Sequence, residues 1–196
     1  MIKNPIPKVT NKLQHRAIGI VNAVYKPHNL DELNKGTLID DQGNEIETVV
    51  LGKALSLIKK YINLEKSHYW IVYPKNKNIQ NLHLQILGIW DPYQLNDIKD
   101  ENSKNTFELL EELNLTDNYF SIRGEVVYVN IQKKEFVIRI RSSSKEKKFK
   151  NSNFKLVIKG KISLEILNNF VSLDVIRDGS TLKMIKLDVI EKSLSN

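Results

Sequence analysis

The chain has 196 residues, 41% of them hydrophobic, and a net charge of +7 with no cysteine. That length suits one large domain or two small ones with real cores. The absence of cysteine excludes disulfides and thiolate metal sites, and no stretch approaches the roughly 20 apolar residues that a membrane-spanning helix needs. Met1-Ile-Lys-Asn-Pro5 carries no apolar run of the signal-peptide kind, so the expectation is a soluble, cytoplasmic protein with no membrane partner. The charge is unevenly placed. Residues 119–196 hold 16 basic and 8 acidic residues, a net of +8, and residues 1–118 hold 14 and 15, a net of −1. Such asymmetry favours a polyanion contact in the C-terminal part.

In chain order, residues 1–14, with Pro5 and Pro7, read as a flexible N-terminal arm. His15 to Tyr25 reads as a strand ended by Lys26-Pro27, and Gly36 to Val50 as a hairpin turning at Asp41-Gln42-Gly43-Asn44. Leu51, Leu55, Ile58 and Ile62 recur at helical spacing, with Thr48 as the expected N-cap of a helix over roughly 49–63. Ser67 to Tyr73 is an aromatic strand stopped by Pro74, and Leu82 to Trp90 another stopped by Asp91-Pro92. Residues 91–118 hold eight acids against two lysines and lack strand alternation. Asn105 with Glu108 resembles a capping box ahead of Leu109, Leu110 and Leu113, which predicts an acidic linker carrying one short helix.

From Tyr119 the order repeats. Tyr119 to Ile131 is a strand, and Phe136 to Arg141 and Phe154 to Ile162 are two more. Ser163 to Asn169 reads as one or two helical turns, followed by strands at Val171 to Arg177 and Thr181 to Ile190. Each half therefore predicts three strands, a helix and two strands. Gly19-x-Val21-x-x-Val24 and Gly124-x-Val126-x-x-Val129 match at the same place in each half, where a glycine marks the bend of a curling barrel.

This order resembles the OB fold of nucleic-acid-binding proteins. The resemblance implies a mainly β chain of two small five-stranded OB-like barrels, each with a helix between its third and fourth strands. The domains then run 15–92 and 119–196, joined by the acidic, partly helical linker 93–118. The stretches GTLIDDQGNEIETVVLGKAL and LHLQILGIWDP also resemble an uncharacterised family of cyanobacterial proteins, which implies no function.

Chemistry is sought first in catalytic motifs. The chain holds no phosphate-binding, dinucleotide, nucleophile-elbow or zinc-protease signature. His15, His28, His68 and His83 lack ligand spacing, and Asp40, Asp41, Glu45 and Glu47 lack the twelve-residue calcium-loop pattern. We expect no catalytic residue, no metal and no cofactor.

The strong signal is charge. In the strands around 136–161, Phe136, Ile138 and Ile140 alternate with Arg139 and Arg141, and Leu156 and Ile158 with Lys155, Lys159 and Lys161. Period-two alternation buries one face and wets the other. Between them Lys145, Lys147, Lys148, Phe149 and Lys150 form a basic loop, so Arg139–Lys161 carries nine cations against Glu146 alone. A merely solubilising surface is the bland alternative. The OB resemblance implies that the second and third strands form the ligand face, with Lys133, Lys134, Arg177 and Lys183 on the flanking loops. Tyr128, Phe149 and Phe154 are candidates to stack bases, while Trp70 and Trp90 are assigned to the core. With few aromatics there, phosphate contacts should dominate, giving low sequence specificity.

Two functions follow. One is a non-enzymatic protein that binds single-stranded or structured nucleic acid, RNA slightly preferred over DNA, through its C-terminal domain. The other is an adapter whose basic C-terminal and acidic N-terminal faces dock partner proteins.

Overall fold

A computed structural model describes residues 3–76, 82–92, 105–142 and 152–192. The first half forms β1 (Arg16–Pro27), β2 (Lys35–Ile39), β3 (Glu45–Val50), helix α1 (Gly52–Tyr61), β4 (Ser67–Asn76) and β5 (Leu82–Ile89). Helix α2 (Thr106–Glu112) follows, and then β6 (Tyr119–Asn130), β7 (Glu135–Ser142), β8 (Ser152–Lys159), a 3-10 turn at Leu164–Ile166, β9 (Phe170–Asp178) and β10 (Thr181–Glu191). By contacts the chain divides into two compact units. One comprises Met1–Pro7, Gly19–Tyr73 and Leu84–Tyr119, the other Lys8–Ile18, Pro74–His83 and Phe120–Asn196.

Both strand sets close on themselves. The first runs β2-β3-β5-β4-β1 with β1 also paired to β2, and the second β6-β7-β8-β10-β9 with β6 also paired to β9. Each includes a parallel pairing, β3 with β5 and β8 with β10. The helical segment between the third and fourth strands carries the chain across to permit it. Closure leaves each barrel an inner face for apolar side chains.

In the first barrel Ile20, Leu38, Trp70, Leu84 and Ile86 are fully buried. Trp70 lies inside as expected, its Nε1 donating to the Ala23 carbonyl at 2.8 Å and its ring edge-on to Tyr25. Trp90 is buried too, and its Nε1 donates to the Lys3 carbonyl at 2.9 Å. The expected arm thus holds residues with defined contacts, Ile6 among the buried ones. In the second barrel Phe120, Ile122, Phe136, Ile138, Leu156 and Ile158 are wholly buried. Arg123 is buried with them, its Nε and Nη2 donating to the carbonyls of Gln14 and Lys12. Loss of water around the guanidinium lowers its pKa.

Several local expectations need correction. Helix α1 is capped at Leu51 without a side-chain hydrogen bond, not at Thr48. Thr48 sits buried in β3, where its hydroxyl donates to the Ile46 carbonyl. The helical segment expected after β8 is present as a single turn, of 3-10 type, capped by the Ser163 hydroxyl. β4 runs through Pro74 to Asn76. Its ladder with β1 ends at the Gly19–Val72 pair, so beyond it no bond to β1 needs the missing proline N–H. The Asn105–Glu108 capping box of α2 is present, with both reciprocal bonds formed at 2.9 and 3.0 Å.

Gly124 explains part of the barrel's curl. A Cβ there would stand 2.4 Å from the Arg139 carbonyl oxygen, so the first and second strands of the second barrel approach where only glycine fits. A bulge between Val126 and Tyr128 follows within three residues.

Candidate nucleic-acid interface

The outer face of β6, β7 and β8 is built by alternation and register. Phe136, Ile138 and Ile140 point inward and are 0–2% exposed, leaving Val137, Arg139 and Arg141 outside. Register sets Arg139 opposite Lys155, Val137 opposite Val157, and Glu135 opposite Lys159. On the other flank the bulge in β6 brings Tyr128 opposite Val137. A bulge re-aims a side chain in this way, and Tyr128 ends half exposed.

A groove of about 890 Å³ runs over this face, lined by Tyr128, Val137 and Val157 at its floor and by Lys133, Lys155 and Phe154 around them. A second cavity of about 340 Å³ shares Asn76, Lys133, Glu135 and Val157 with it and reaches the β9–β10 turn at Ser180–Leu182. The OB ligand face, with the loops between strands one and two and between four and five, lies in this region.

The cations divide into two sets. Arg139 Nη2 donates to Glu125 Oε1 at 2.7 Å and Arg141 Nη2 to Glu125 Oε2 at 3.4 Å, so one carboxylate holds both guanidinium groups. The Glu125 hydrogen bond and charge push the Arg139 pKa up. Lys159 Nζ contacts Glu135 Oε2 at 2.5 Å, and Lys183 pairs with Asp178. Lys133, Lys134, Lys155 and Lys161 are exposed and have no carboxylate partner among the described residues. Arg177 corrects an expectation. It is 3% exposed, and its Nη1 donates to the Gly179 carbonyl at 2.8 Å, so it braces the β9–β10 turn from within. Lys145, Lys147, Lys148, Phe149 and Lys150 lie outside the described residues.

Of the stacking candidates, Tyr128 presents an accessible ring. Phe154 does not present a bare one, because the Lys75 ammonium sits 3.3 Å from its ring centroid. Sequence reading missed Glu125, although alternation places it outward and the strand pairing puts it across from Arg139. It also missed Lys75, 79 positions from Phe154, for which no local signal exists.

Elsewhere in this unit, His15 stands edge-on to Phe170 at 5.0 Å. Burial first, and Arg141 second, lower its pKa. Among the described residues no group of three or more His, Asp and Glu side chains is placed to hold a metal ion.

In the first barrel Asp40 is buried, and its carboxylate accepts from the backbone of Gln42 and Asn44. It fastens the β2–β3 turn rather than adding to an acidic surface. Asp41, Glu45 and Glu47 remain exposed.

Comparison with known proteins gives two matches. Residues 17–97 match a family model described as the N-terminal OB-fold domain of the PatR RNA-binding protein. Residues 122–191 match one described as a cyanobacterial OB-fold-like RNA-binding domain, C-terminal. The chain is a tandem OB-fold protein. The tandem OB-fold protein thus carries, over both of its barrels, similarity to domains described as RNA-binding, which supports nucleic-acid binding as its broad function. No curated protein matches it. Among the described residues of this tandem OB-fold protein, no helix is long and apolar enough to cross a membrane.

Proposed function

We propose that the second barrel binds single-stranded or structured RNA along the β6–β8 groove, and that the protein acts by binding rather than by catalysis. The observation that carries this reading is the groove itself, lined by an exposed tyrosine and by lysines that have no carboxylate partner among the described residues. Tyr128 supplies a stacking surface and Lys133 and Lys155 meet phosphates. Lys161 and Lys134 extend the positive rim. Arg139 and Arg141 lie on the same face, and Glu125, held between them, masks part of their charge. Stacking and phosphate contacts carry little sequence information, so the binding is of low specificity and weakens with salt. The preference for RNA over DNA rests on the RNA-binding descriptions of both matched families.

The test is fluorescence anisotropy of labelled single-stranded RNA and DNA with the full chain across a range of salt. Tyr128→Ala should weaken RNA binding by about 5- to 150-fold, the equivalent of roughly 1–3 kcal/mol per stacked base. Lys133→Gln with Lys155→Gln should flatten the salt dependence. Absence of binding at low salt would retire the reading. An unrelated oligonucleotide should displace the labelled RNA, and failure to do so would overturn the low-specificity reading.

A further inference from the structure

We infer that Lys75 is a phosphate-contacting residue of the RNA groove, supplied by the end of β4 and seated on Phe154. The inference rests on the RNA-binding reading above and extends the groove to a residue outside residues 119–196.

Three observations carry it. The Lys75 ammonium is centred 3.3 Å from the Phe154 ring, and Phe154 lines the groove. Asn76, the next residue, lines both the groove and the neighbouring cavity. Lys75 is also half-buried and has no carboxylate partner among the described residues, whereas Arg139, Arg141, Lys159 and Lys183 each have one. An ammonium with three donors, set against a ring face, is satisfied in one direction only. Its open side suits a non-bridging phosphate oxygen of a strand whose bases face Tyr128. Burial lowers the Lys75 pKa because the charged amine has lost water, a loss that a phosphate oxygen on the ammonium would offset.

The aromatic seat matters as much as the charge. A lysine on a free stem must be immobilised when it meets a phosphate, whereas one already laid on a ring loses less freedom. Phe154 then works as a support for the cation, and Tyr128 remains the stacking ring.

The experiment measures the dependence of log K on log salt concentration for a labelled oligouridylate of roughly ten nucleotides, a length within the range bound by single OB folds. The full chain is compared with Lys75→Gln, Lys75→Arg and, as a remote control, Lys53→Gln on the exposed surface of α1. Each phosphate contact to a single strand contributes about 0.7 to the slope. Lys75→Gln should therefore lower the slope by about 0.7 and weaken binding at low salt. Lys75→Arg should restore the slope, which also shows that the site still folds, and Lys53→Gln should match the parent. A parent chain that binds while Lys75→Gln leaves both slope and affinity unchanged would overturn this inference and leave the RNA-binding reading standing. A parent chain that does not bind at all removes that reading, and this inference with it.

Discussion

Glu125 governs how much of the β6–β8 face is available as positive charge. Its two carboxylate oxygens take one guanidinium each, from Arg139 and Arg141. The pairs are still partly open to solvent, so they contribute little to stability, of order 0–1 kcal/mol. Their effect on ligand binding is larger, because a carboxylate in the middle of the face repels phosphate. Glu125→Gln should leave the thermal midpoint within a few degrees of the parent and tighten RNA binding at low salt, with a steeper salt slope. Weaker binding would mean that Glu125 positions the arginines productively and does not mask them. The sequence displayed the positive residues of this face and not the carboxylate's hold on them. Charge can be counted along a strand, but Glu125 meets Arg139 only through the register of β6 on β7. Arg177 has the same lesson. In sequence it reads as a loop cation of the ligand face, yet its guanidinium turns inward to the Gly179 carbonyl.

At the scale of elements, period-two alternation was legible because it is local. Phe136, Ile138 and Ile140 are all inside, as the pattern required. Phe136→Ala removes a wholly buried ring and should cost about 3–5 kcal/mol, measured by urea unfolding. A loss below about 1 kcal/mol would place Phe136 outside the cooperative core. Strand ends were less legible. β4 outlasts Pro74 by two residues, and it is this extension that carries Lys75 and Asn76 to the groove. A proline reads as a stop because it removes a donor, but the donor is needed only where a ladder continues. The capping box at Asn105 was readable because both partners lie within one turn.

For the whole molecule, the net charge of +7 overstates what a ligand meets. In the second barrel, Arg139, Arg141, Lys159 and Lys183 already face carboxylates. Lys75, Lys133, Lys134, Lys155 and Lys161 are the cations of this face without a carboxylate partner among the described residues. Five single-strand phosphate contacts correspond to a log–log salt slope of about −3.5, and that is the expected contribution of this set. A slope near zero would mean that apolar contact with Tyr128 carries the affinity. The repeated order of three strands, a helical segment and two strands was visible in both halves, and it is the order of two closed barrels. The sequence did not disclose the division by contacts, in which Lys8–Ile18 and Pro74–His83 join the unit of Phe120–Asn196. The carbonyls of Lys12 and Gln14 that receive Arg123 belong to that unit, and no pattern of residue types announces a backbone acceptor more than a hundred positions away.

The close passage of Gly124 under the Arg139 carbonyl has a consequence for how this surface can vary. The oxygen 2.4 Å from the would-be Cβ belongs to the residue whose side chain grips Glu125, so the barrel seam and the charged face share one backbone atom group. In a library randomised at position 124 and sorted for folded protein, glycine alone should persist. Any methyl inserted there would act as a wedge, prising Arg139 from its neighbour and loosening seam and face together.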